Sequence, residues 1–164
     1  MVPEEEKNFV QLIEQHQGLV HKVCLMYETD PDTRDDLFQE IVLQLWKSFH
    51  SFRGEAKITT WMYRIALNTA ISGLRKKKRK VVTEDIHERH LNISDKATTD
   101  DREEDFQRLQ HAIRKLSEID RAMIMMALDE VPYEEIADTI GITQNNVRVR
   151  MNRIRERLRK YMTQ

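Results

Sequence analysis

The stretch from Tyr133 to Lys160, "YEEIADTIGITQNNVRVRMNRIRERLRK", decides how this chain is read. Its first part, opened by Pro132, is a short helical pattern with Ile136, Ala137 and Ile140 on one face. Gly141 then makes a tight turn, and Thr143 is suited to cap the helix that follows. In that helix Val147, Met151, Ile154, Leu158 and Tyr161 recur at spacings of four, three, four and three, forming one apolar stripe. Arg148, Asn152, Arg155 and Arg159 fall on the opposite side, with Arg150, Arg153 and Arg157 on the flanks. Short helix, glycine turn and longer polar-faced helix make a helix-turn-helix pattern. Such a motif lays its second helix in the major groove and brings the first residues of that helix to base edges. Asn and Arg pair with bases through two hydrogen bonds, and Arg also neutralises phosphates. A plain helical hairpin with a solvated basic face would share the stripe. Asn145, Asn146 and Arg148 in the first turns favour DNA.

Working outward, the chain has 164 residues, 40% hydrophobic and 34% charged, with only 4 Gly and 3 Pro. That balance favours helices over a sandwich or barrel, in one ordinary domain or two small ones. The formal net charge is −1, yet the charge is unevenly laid out. A run "RKKKRK" at Arg75–Lys80 and the helix from Arg148 onward are strongly basic, and the segment between them is acidic. Local fields, not the overall charge, then decide which partner meets which surface. The acidic start "MVPEEEKNF" is unlike a secretory signal, and no apolar run is long enough to span a bilayer. A single cysteine, Cys24, excludes an internal disulfide framework. A cytoplasmic location without membrane insertion is expected.

Towards the N-terminus, Phe9, Leu12, Ile13, Leu19, Val20, Val23, Cys24 and Tyr27 suggest one long or broken amphipathic helix, with Gly18 as the break. Pro31 suits a first helical position, capped by Asp30 or a neighbour. The next helix places Leu37, Phe38, Ile41, Val42, Leu45, Trp46 and Phe49 on an apolar face, and Asp36, Glu40, Leu43 and Lys47 on another. Gly54 punctuates a loop, and Thr59 or Thr60 is suited to cap the helix from Trp61. On that helix Arg64, Asn68, Ser72, Arg75 and Arg79 share one side. An amide between guanidinium groups suits a nucleic-acid strand, with Arg on phosphate and Asn on a base edge. Trp61 and Tyr63 suit stacking on unpaired bases or a place in the core, and the core is the simpler reading. For Asn68, a cap on a neighbouring loop is the alternative. The cations of "RKKKRK" repel one another at the helix end, and an anionic partner is the simplest reason for them. Residues 81–103 lack apolar periodicity and read as an acidic linker. Helical pattern returns with Phe106, Leu109, Ala112, Ile113 and Leu116, then Ile119, Met123, Ile124, Ala127 and Leu128.

The blocks "DLFQEIVLQLW", "SFRGEAKITTWMYRIALNTA", the basic helix end and "YEEIADTIGITQNNVRVRMNRIRERL" stand in the order seen in extracytoplasmic-function sigma factors, minimal members of the sigma-70 family. The resemblance covers almost the whole chain. It implies an all-α protein of two small helical domains joined by an acidic linker: a region-two-like domain over 1–80, the linker over 81–103, and a region-four-like helix-turn-helix domain over 104–164. It further implies that Asp36, Gln39, Glu40 and Leu43 dock on the beta-prime clamp coiled coil of core RNA polymerase. The loop with Phe52 and Arg53, together with Trp61, Arg64 and Asn68, would capture the melted minus-ten strand. Arg75, Lys76, Lys77, Lys78, Arg79 and Lys80 would hold promoter backbone. Thr143, Asn145, Asn146, Arg148, Arg150, Asn152 and Arg153 would read the minus-thirty-five duplex. Pro132 and Asn145 depart from the Ser and Gly that many relatives carry. The implied function is promoter-specific transcription initiation with core polymerase and promoter DNA as partners, and an anti-sigma factor as regulator. A stand-alone helix-turn-helix regulator is the alternative, and a helical adaptor serving only protein contacts is a further one.

Other chemistry is weakly signalled. His21 with Cys24, and His87 with His90, are three apart, but neither pair has the further ligands zinc needs. No phosphate-cradling Gly loop, nucleophile elbow or His-Glu metal motif is present. No catalysis, cofactor, metal or small-molecule substrate is therefore expected. Met123, Met125 and Met126 read as core filler, and Cys24 as a small buried hydrophobe.

Overall fold

A computed structural model of the chain describes residues 1–83 and 101–164. Their regular structure is entirely helical: α1 (Glu4–Tyr27), α2 (Pro31–Phe49), α3 (Ile58–Thr83), α4 (Asp101–Arg114), α5 (Glu118–Leu128), α6 (Tyr133–Ile140) and α7 (Gln144–Thr163). The chain divides into two compact units, Met1–Val81 and Val82–Gln164. Of the segment read as an acidic linker, residues 84–100 lie outside the described residues, as do His87 and His90. Residues 81–83 continue α3, and 101–103 open α4.

In the first unit, Phe9 near the start of α1 meets Trp46 and Phe49 near the end of α2, with ring centroids 5.0 and 5.3 Å apart. His21, late in α1, stacks on Phe38, early in α2, at 4.5 Å. Those pairs make α1 and α2 an antiparallel hairpin. The break in α1 falls at His16 (φ −121°, ψ 16°), and Gly18 stays helical, contrary to the sequence expectation. Asp30 caps α2 by position, and Pro31 stands at its first turn as expected. The Asp30 side chain makes no capping bond; instead the Thr33 hydroxyl donates to the Asp30 carbonyl at 3.0 Å. The core gathers Val20, Val23, Cys24, Ile41, Leu45, Met62, Tyr63, Ala66 and Leu67, all nearly inaccessible. Each of the larger apolar side chains contributes about 1.5–3 kcal/mol over leaving it in water.

α3 begins at Ile58, earlier than expected. Trp61 N–H donates to the Lys57 carbonyl, so Thr59 and Thr60 lie inside the first turn rather than at the position before it. Thr60 is buried there.

In the second unit α7 packs against α4, α5 and α6. Val147, Met151, Ile154 and Leu158 are buried, and Tyr161 is half-buried. Ala122, Met123, Met126 and Ile136 from the neighbouring helices are also buried. Phe106 and Leu128 share the apolar periodicity of their helices yet are 54% and 55% exposed. The turn between α6 and α7 is built as the sequence indicates. Gly141 has φ +83°, a conformation that costs a side-chain-bearing residue, and its N–H donates to the Ala137 carbonyl at 2.8 Å. Thr143 Oγ1 then accepts from Asn146 N–H at 3.2 Å, satisfying one of the free donors of α7.

Candidate nucleic-acid and polymerase interfaces

The amphipathic split of α3 is clean. Met62, Tyr63, Ala66, Leu67, Ala70 and Ile71 are buried, while Arg64, Asn68, Ser72, Arg75 and Arg79 are exposed along the other side. Tyr63 is therefore core, and its ring is withheld from any base. Asn68 makes no side-chain hydrogen bond among the described residues, so its amide is presented rather than used as a loop cap. Beside the start of α3 stands the loop after α2, where Gly54 takes φ +75°. Phe52 from that loop packs on half-buried Trp61 with centroids 5.1 Å apart and planes at 44°. Arg53 and Arg64 are exposed. A shallow aromatic edge flanked by guanidinium groups and an amide can hold one unstacked base and its phosphates.

The basic end of α3 is exposed from Arg75 to Lys80. Lys77 is ion-paired with Glu28, just past the end of α1. That pair ties the helix end to the hairpin, and nothing in the local sequence announces it.

On α2, Asp36, Gln39, Glu40 and Leu43 are all exposed at successive helical turns. Leu43 is 44% exposed, an apolar side chain beside an acidic row. The Gln44 amide donates to Glu40 at 2.9 Å, holding that carboxylate along the helix. A stripe that combines carboxylates with one exposed apolar side chain suits a protein helix of opposite charge.

In the second unit the first turns of α7 expose Gln144, Asn145, Asn146, Arg148 and Val149, and Asn152 and Arg153 follow as exposed residues. Arg150 differs. Its Nε and Nη2 both lie 3.0 Å from Asp120 Oδ1. Arg157 Nη1 reaches Oδ2 of the same carboxylate at 3.3 Å. Arg155 donates to the Tyr133 hydroxyl at 3.0 Å, joining α7 to α6. Asp120 is itself placed by Ser117, whose hydroxyl caps α5 by accepting the Asp120 N–H at 3.2 Å. Arg121 closes the preceding turn by donating to the carbonyls of Arg114 and Leu116.

Both units match known protein families. Residues 12–80 match sigma-70 region 2, and residues 106–158 match sigma-70 region 4. The ECF RNA polymerase sigma-E factor of Haemophilus influenzae is 30% identical over 163 residues, covering 93% of this chain and 86% of the relative. SigW of Bacillus subtilis, also an ECF sigma factor, is 25% identical over 96% of this chain and 90% of its own length. The Bartonella quintana sigma factor RpoE, solved with the anti-sigma factor NepR, shares the fold at a TM-score of 0.76 and 22% identity, covering 96% of this chain and 98% of that one. The chain belongs to the extracytoplasmic-function sigma factors.

For this sigma factor a stand-alone helix-turn-helix regulator is set aside, because the region 2 match occupies the half of the chain such a regulator leaves unexplained. Among the described residues no helix is long and apolar enough to cross a membrane. Cys24 is fully buried, and its thiol pKa is pushed up from 9.0 to about 11, chiefly by desolvation against an opposing pull from Arg34. His21, its partner at ligand-like spacing, stacks on Phe38 instead. Sequence reasoning missed Asp120 and Glu28, carboxylates that hold basic residues of the candidate DNA surfaces.

Proposed function

We propose that this sigma factor reads the minus-thirty-five duplex with α7 and holds the melted minus-ten strand on α3 and the loop before it. It does so while α2 is docked on the beta-prime clamp coiled coil of core RNA polymerase. The observation that carries the reading is the exposed line Arg64, Asn68 and Arg75 on α3, in the same chain as an α7 whose first turns expose Asn145, Asn146 and Arg148. One surface suits an unstacked strand, the other a duplex. Phe52, Arg53 and Trp61 complete the first, and Lys76 to Lys80 carry backbone beyond it. Thr143, Asn152 and Arg153 complete the second. Arg150, assigned to base reading on sequence grounds, enters with its guanidinium engaged by Asp120 and takes a supporting role. Asp36, Gln39, Glu40 and Leu43 form the docking stripe. The protein works in the cytoplasm and performs no catalysis of its own. Extruding a base costs a few kcal/mol, which pocket and phosphate contacts offset, so melting is driven by binding.

The two domains occupy 1–80 and 104–164 in this reading, with the intervening acidic segment as connector. An anti-sigma factor is a further expected partner, supported by the likeness to a sigma factor solved with one. Affinity capture from native lysate tests it; recovery of polymerase alone would count against it.

Run-off transcription with core polymerase on genomic DNA, with and without the protein, tests the function itself. New discrete start sites that vanish with Asn68→Ala are expected, and the aligned start sites yield the promoter elements. Absence of new transcripts would refute the reading.

A further inference from the structure

The cations of α7 exist in two states. Side chains of Arg148, Arg153 and Arg159 make no hydrogen bond or ion pair among the described residues, and all are exposed. Arg150 and Arg157 share one carboxylate, one on each oxygen of Asp120. That carboxylate is 8% exposed, against 39% and 55% for the two arginines. Salt screens so shielded an anion far less than it screens a surface pair. Arg150 and Arg157 lie two turns apart on α7, so a fixed anion between them sets the rotation of the helix about its axis as well as its distance from α5. Arg153 lines the same depression with Ser117, yet stays outside the pair.

We propose that Asp120 is the positioning residue of the reading helix, withholding Arg150 and Arg157 from DNA phosphates. Phosphate contacts strengthen binding to every sequence alike, whereas base contacts discriminate. Withholding two of them leaves recognition weighted towards Asn145, Asn146, Arg148 and Asn152. Specificity thereby comes from restraint on the non-specific term as well as from base contacts. The proposal rests on α7 being the helix that enters the duplex.

The test uses the full chain on core polymerase. Binding is measured over a range of salt to a duplex carrying the minus-thirty-five element recovered from the run-off start sites, and to a duplex of scrambled sequence. Asp120→Asn keeps the shape and removes the charge. It is expected to tighten binding to scrambled duplex and to lower the promoter-to-scrambled ratio. The dependence of log K on log salt should steepen by up to about 1.8, the slope of two phosphates at about 0.9 each. A purely structural role predicts weaker binding to both duplexes with no steeper slope, and that result overturns the proposal. If Asp120→Asn fails to fold, Arg157→Gln keeps the question open to decision. An unchanged slope supports the proposal, and a slope shallower by about 0.9 overturns it, since Arg157 would then already contact phosphate. Wild-type protein that binds both duplexes equally would sink the reading of α7 itself. Wild-type discrimination with an unaltered Asp120→Asn slope would sink the positioning role alone.

Discussion

The two basic helices of this sigma factor carry similar charge and hold it differently. At the end of α3 a consecutive run from Arg75 to Lys80 is exposed, and Lys77 is paired with Glu28, a carboxylate 49 residues away at the edge of the hairpin. On α7 the cations are dispersed around the helix, and a shielded carboxylate fixes Arg150 and Arg157. The first arrangement places charge; the second places geometry. A cluster of long lysine side chains suits a strand whose backbone alone must be held, because a point charge tolerates many phosphate positions. A helix that reads base edges cannot rotate or slide without losing its hydrogen bonds, so its flanks are tied down.

The largest expected effect tests whether the two units are separately stable. Met151 is fully buried where α7 meets its neighbours. Met151→Ala removes about 2–5 kcal/mol from the second unit. In urea, followed by one probe in each unit, the transition of residues 101–164 should move to lower denaturant while that of residues 1–83 stays in place. A common shift of both would show that the units unfold together, and the contrast between their surfaces would then lose its independence.

Next in size is a pair of substitutions that separates placed geometry from placed charge. Arg148→Ala should cost about 1–3 kcal/mol on the promoter duplex and far less on scrambled DNA. Lys76→Ala, at the end of α3, should weaken binding to all sequences alike and make the salt slope shallower by about 0.7, the single-strand value. Equal losses on every duplex for Arg148→Ala would make that residue a phosphate contact and erase the distinction.

The same contrast separates what is legible in the sequence from what is not. Helix order, the glycine turn and the Thr143 cap are legible because each rests on residues a few positions apart. The all-α fold follows from that periodicity. The break in α1 is not legible: Gly18 is the weaker helix former by propensity, yet the kink sits at His16. The start of α3 is misleading in sequence because Thr59 and Thr60 look like caps, whereas Thr60 turns into the core. Asp120 is not legible as a partner of α7. Its arginines are 30 and 37 residues away, and an acidic residue in a first helical turn already has a sufficient local reason in the helix dipole. Of the candidate site residues, the exposed stripes are visible as patterns; which guanidinium groups are already occupied is not.

The smallest effect is at the Lys77–Glu28 pair, and it bears most directly on the contrast. The Lys77 side chain is 50% exposed and Glu28 15% exposed. Exposed pairs of this kind contribute about 0–1 kcal/mol, since solvent and salt weaken the attraction and two side chains lose freedom. Lys77→Ala should therefore lower the denaturation midpoint of the first unit only slightly, and that small loss should fade as salt is raised. Its effect on DNA should resemble the removal of any one lysine from the run: a uniform weakening without change in promoter preference. If Lys77→Ala instead altered which promoters are opened, the pair with Glu28 would be setting the angle at which the end of α3 meets DNA. The two basic helices would then share one principle, a carboxylate that aims the cations around it, and the distinction between placed charge and placed geometry would fall.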